Sequence, residues 1–125
     1  MRALTEVQEE QLECLLVDIV SKNKDVRISL QRLNVLGSKA INKLDKVTYT
    51  KSDRWMDSEK GDALWSYIDE WKWMIEEVNC AIELSNSKSI NIEAQTPLDI
   101  TSILVVKADH MDDLYIHIPL AEIIF

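Results

Sequence analysis

Carboxylates dominate the residues of this 125-residue chain that could do chemistry. Glu10 and Glu13 stand three apart, and so do Glu59 and Asp62. On a helix each pair would share one face, a geometry that suits a hard cation. His110 and His117 flank a short stretch that also holds Asp109, Asp112 and Asp113. That donor set fits zinc or a hard cation, although acidic turns are commonly just solvated. Cys14 and Cys80 are far apart with no ligand spacing around them, so free thiols are expected rather than a disulfide. The chain has no glycine-rich phosphate loop, CxxC pair or HExxH. Nor does it carry a Ser–His–Asp signature. The sequence therefore predicts no catalytic residue, no bound metal and no cofactor.

A second kind of site is a contact surface. Trp73, Cys80 and Leu84 fall within about 40° of each other on a helix, opposite its apolar seam. Asp69, Glu70, Glu76 and Glu77 flank them. A tryptophan with a charged rim has the make-up of an interface hot spot. The competing placement packs the C-terminal strands over Trp73 and Leu84. The leading expectation is a small acidic protein-binding protein, of the size and charge of immunity or phage anti-defence inhibitors. It would occlude a basic surface of a target protein through Trp73, Asp69, Glu70, Glu76, Glu77 and Leu84. One alternative is a self-associating structural or assembly protein that uses its helix seams or its terminal strand. Another follows from the carboxylate pairs. Glu10–Glu13 and Glu59–Asp62 resemble the ExxE and ExxD pairs with which all-helical nucleotide pyrophosphatases of the MazG type hold magnesium. That resemblance implies a magnesium-dependent nucleotide hydrolase.

Charge narrows the partners. The net charge is −8, against the basic balance expected of a protein that grips nucleic-acid phosphates. The distribution is uneven: residues 1–20 sum to −4, residues 21–54 to +6 and residues 55–125 to −10. Arg32, Lys39, Lys43 and Lys46 share an arc of about 60° on the second helix, away from its seam. This ridge is expected to face solvent or the acidic helices of its own bundle; the other reading is an anion-binding surface. No apolar run approaches a membrane span and no signal peptide is visible, so a cytoplasmic protein without a membrane partner is expected. A homo-oligomer remains open at this stage.

These side chains need a scaffold. With 46% hydrophobic residues and only two glycines and two prolines, the chain has the composition of one ordered domain. Thr5 and Gln8 form a capping box ahead of a first helix whose inner face holds Leu12, Leu15, Leu16, Ile19 and Val20. Residues 21–25 read as a turn. A second helix is expected from Val26 to about Lys46, with Val26, Leu30, Leu33, Gly37, Ala40, Leu44 and Val47 as its seam. Residues 48–61 read as a polar connection, with Trp55 and Met56 folding back on the bundle. The third helix carries its apolar period over 62–84 and ends near Ser85; Ser52, Asp57 and Ser58 are all candidate caps, so its start falls within a span of several residues. Its seam is Leu64, Ile68, Trp71, Ile75, Val78 and Ile82, with the four-three spacing of a heptad.

Beyond a loop at 85–89 the apolar period changes to two. Ile90 and Ile92, residues 100–106, and Leu114, Ile116 and Ile118 read as strands, with a turn at 107–113. Thr96, Pro97 and Asp99 offer a competing helix start over 96–108. Pro119 should end the ladder, and the apolar terminus 121–125 should tuck into the core or a second subunit. The expected fold is α+β in a single domain, 1–125. A three-helix bundle over 1–86, with two long antiparallel helices and one shorter, precedes a hairpin or three-stranded antiparallel sheet over 87–125.

Overall fold

The computed structural model describes residues 2–21, 25–94 and 102–119. The helices are α1 (Glu6–Ser21), α2 (Val26–Thr50), α3 (Asp53–Met56) and α4 (Glu59–Ser87). Three strands follow, β1 (Ile90–Ala94), β2 (Ser102–Ala108) and β3 (Leu114–Ile118), in one antiparallel sheet of order β1-β2-β3. The α+β class holds, with helices first and sheet last. The helix count is corrected from three to four, because the connection over 48–61 contains α3. Ser52 starts it by accepting a hydrogen bond from the Trp55 backbone N–H at 3.2 Å, and Lys51 sits 4.8 Å over the Trp55 ring.

Two long helices are longer than expected. α2 continues past Lys46 to Thr50 because threonine hydroxyls serve its last carbonyls. Thr48 Oγ1 donates to Asp45 O at 2.6 Å and Thr50 Oγ1 to Val47 O at 2.7 Å. α4 begins at Glu59, with Ser58, one of the expected caps, as its N-cap residue, and runs to Ser87, two residues past the expected end near Ser85. The α1 start matches the capping box in both directions. Thr5 N–H donates to Gln8 Oε1 at 3.0 Å, and Gln8 N–H donates to Thr5 Oγ1 at 3.2 Å. Asp25 caps α2 by accepting from Arg27 N–H at 2.8 Å.

The packing centres on α4, which lies against α2 on one side and β3 on the other; α1 rests on α2 and β1. The expected seams meet: Leu30, Leu33, Ala40 and Leu44 of α2 and Leu64, Ile68, Trp71 and Val78 of α4 are all buried. The end positions Val26, Val47 and Ile82 are only half-buried, as is Ile75. Gly37 marks a close approach. A Cβ there would stand 2.6 Å from Met74 Cε and 3.1 Å from Ile75 Cγ1. Two polar ties hold the helix pair in register. Asn34 Nδ2 donates to Asn79 Oδ1 at 2.6 Å, and the Arg27 guanidinium donates to Ser85 O at 3.2 Å near the end of α4.

The sheet turns Ile92, Leu104, Val106, Ile116 and Ile118 inward onto the helices. Leu104 pairs with Ala94 on one side and Ile116 on the other, which fixes the alternation of faces across all three strands. Residues 102–108 are strand, so the helical alternative fails there; residues 96–101 lie outside the described residues. β3 ends immediately before Pro119. The terminal segment 121–125 and the Val20 side chain also lie outside the described residues. Among the described residues, no helix is long and apolar enough to cross a membrane.

Candidate protein-docking face

α4 is amphipathic in a particular way. Its seam is buried against α2 and the sheet, which leaves the middle of the opposite arc facing outward. Trp73 sits on that arc with 62% of its surface exposed. Helical geometry puts Asp69, Glu70, Glu76 and Glu77 three or four residues from it, hence on neighbouring turns around the indole. Asp69, Glu70 and Glu76 are exposed. Asp62, Asp69, Glu76 and Glu83 recur every seven residues, forming a nearly straight acidic line down the helix. Neighbours in that line are about 10 Å apart, so their fields reinforce one another at low salt and are largely screened at physiological salt.

Two of the expected contact residues are placed differently. Glu77 is not part of the open rim: its side chain is 22% exposed and meets His117 of β3, Oε2 to Nδ1, at 2.8 Å. It straps α4 to the edge strand. Leu84 is half-buried and lines a cleft of about 480 Å³ with Cys80 and Met111. The acidic β2–β3 turn closes that cleft. His110 in the turn has φ 62°, a left-handed conformation in which histidine is tolerated better than most residues. The strands therefore reach Leu84 but leave Trp73 uncovered.

The structure adds one residue to the face. Trp65, 46% exposed, lies about 12 Å before Trp73 along the axis and about 80° round it, beside the acidic line. It belongs neither to the apolar seam nor to the narrow arc of Trp73, Cys80 and Leu84, so spacing alone does not single it out. Tryptophans normally bury most of their area, so two open indoles on one helix are an uncommon feature for a helix with water as its only neighbour. By contrast Trp71, two residues before Trp73, is 2% exposed and packs edge-on against Tyr67, with centroids 6.4 Å apart at 86°. Its Nε1–H has no well-aligned acceptor. The nearby Tyr67 oxygen interacts with the indole, but burial outweighs this and pushes the Tyr67 pKa up, with the Glu70 charge adding to the rise.

The remaining chemistry-bearing residues do not converge. Glu10 and Glu13 are on α1, whereas Glu59 and Asp62 occupy the first turn of α4. Among the described residues, no group of three or more His, Cys, Asp or Glu side chains is arranged to hold a metal ion. His110 and His117 are both exposed, and His117 is engaged by Glu77. Cys14 and Cys80 are free and exposed. Arg32, Lys39, Lys43 and Lys46 all face out on the side of α2 away from α4. No family model, no curated protein and no solved structure matches this chain.

Proposed function

We propose that this chain is a small acidic binding protein that occludes a basic surface of a target protein through the outward arc of α4. The observation that carries the reading is Trp73, 62% exposed and rimmed on adjacent turns by Asp69, Glu70 and Glu76. The indole supplies the apolar contact, which gains most when water is excluded around it. The carboxylates steer a cationic partner and hold its orientation. Trp65 extends the same contact along the helix.

The test is affinity capture from the native host, followed by measurement with the purified partner. A basic partner should be retained at low salt by the unmodified chain. Trp73→Ala, and separately Asp69→Lys with Glu76→Lys, should each lose it. Retention of the same partner by all three substitutions together removes α4 as the contact. Glu77 is left unchanged in this experiment because it holds β3.

A further inference from the structure

The α1–α2 side of the molecule carries a different surface. A groove of about 570 Å³ runs between the two helices, floored by Leu15 and Leu36 and edged by Val7, Cys14 and Val35. Among the described residues, every exposed valine and isoleucine above one-third exposure lies on these helices. Val7 is 63%, Val17 53%, Ile28 48% and Val35 52% exposed. Their spacing is regular: Val7 and Cys14 are seven apart on α1, as are Ile28 and Val35 on α2. Ile28 and Val35 thus share one outer face of α2, apart from the inner seam that meets α4, and Val35 of the two lines the groove.

The walls of the groove are of opposite sign. α1 carries five acidic residues and no basic one, whereas α2 carries five basic residues and one acid. Glu10 stands on one wall, Arg32 and Lys39 on the other. No ion pair joins Glu10 to either of them; the ion pairs of α1 residues Glu6 and Glu9 go to Arg2. A surface with one acidic and one basic wall is self-complementary under a two-fold axis parallel to the helices. Such an axis sets α1 of each copy over α2 of the other. Each acidic wall then meets a basic wall, and the exposed aliphatic side chains meet in the middle.

We infer that this face is the interface of a two-fold homodimer, a four-helix contact in which Glu10 of each copy faces Lys39 of the other. The net charge of −8 does not forbid it. Charges farther than about 8–10 Å from the contact are screened at physiological salt, and the local face is nearly balanced. α1 is about 24 Å long. Two helices of that length, side by side, bury of the order of 1,000 Å² in total, the lower limit for a specific contact. The dimer is consequently concentration-dependent. It leaves the outward arc of α4 open, so it stands independently of the docking role assigned to Trp73.

Light scattering coupled to size exclusion tests it. The unmodified chain should pass from its 14.4 kDa monomer mass to twice that mass as concentration rises through the micromolar range. Glu10→Lys alone and Lys39→Glu alone should each weaken dimerisation by about tenfold or more, because each reversal acts twice across the axis. Mixed in equal amounts, the two variants should pair with each other, since each mixed contact is again Lys against Glu. Trp73→Ala should dimerise like the unmodified chain. A monomer at high micromolar concentration overturns the inference. So does a dimer indifferent to both reversals, a mixture that stays monomeric, or an assembly that grows beyond two copies.

Discussion

At the scale of single residues, two tryptophans separated by one position have opposite roles. Trp71 is buried in the core, edge-on to the ring of Tyr67 one turn before it on α4, whereas Trp73 projects into water. Trp71→Ala should cost about 3–5 kcal/mol of unfolding free energy, the usual result of emptying a large core site. Trp73→Ala should change stability by no more than about 0.5 kcal/mol, while it abolishes partner retention. Urea titration of both variants checks the first statement, and capture checks the second. Tyr67 adds a pH dependence. Burial raises its pKa above the ordinary phenol value, so the folded chain holds the phenol proton more tightly than the unfolded chain. The stability this represents is complete below about pH 10 and is lost as pH rises through the folded value. Unfolding free energy should fall above about pH 10, and Tyr67→Phe should flatten that limb. An identical alkaline limb in both proteins would rule Tyr67 out as its source.

At the scale of elements, the two glycines mark places where a neighbouring element leaves no room for a Cβ. At Gly61 an added Cβ would stand 2.0 Å from Met56 O and 2.4 Å from its carbonyl carbon. That is backbone, which cannot step aside, and it joins α3 to the first turn of α4. Gly61→Ala should destabilise by about 1–3 kcal/mol, at the upper end of that range. At Gly37 the nearest atom is the end of the Met74 side chain. Moving that methyl costs less, and alanine gains about 1 kcal/mol of helix preference. Gly37→Ala should therefore come out within about 1 kcal/mol of the unmodified chain. Thermal unfolding of the two variants side by side separates the cases: equal losses would mean that α2 and α4 are as rigidly spaced as α3 and α4. The Glu77–His117 contact is a further joint, since it fixes the edge strand against α4 without covering Trp73.

For the whole molecule, the decisive property is how charge is spread over the surface. The acidic line on α4 and the basic stripe on α2 point away from each other because the two helices pack through their apolar seams. Under the proposed function, a basic target approaching the acidic line of α4 meets mostly negative charge, which should speed encounter. The association rate with a basic partner should fall by about tenfold or more between low and physiological salt, with a much smaller change in the dissociation rate. Stopped-flow mixing across a salt series measures both. A rate independent of salt would leave the carboxylates without a steering role.

Much of this was legible in the chain before any coordinates. The four-three spacing from Leu64 to Ile82 and from Val26 to Val47 can be satisfied only by helices that face one another, because apolar area must leave water. The capping box at Thr5 and the alternation at Leu114, Ile116 and Ile118 are local signals, and local hydrogen bonding and pleat geometry decide them. α3 was not legible. Its four residues form because Ser52, Lys51 and the turn into Gly61 act together, and each signal alone is too weak. The seam spacing already assigns Trp71 to the core and Trp73 to the opposite arc, but whether the strands cover Trp73 was beyond the sequence. Glu76 and Glu77 have the same charge, and either could have met a strand. Only the landing of β3 beside α4 leaves the Trp73 ring open and separates the strapped carboxylate from the free one. That landing depends on packing between residues about 40 positions apart, a contact set by the shape of the assembled core rather than by any neighbouring residues.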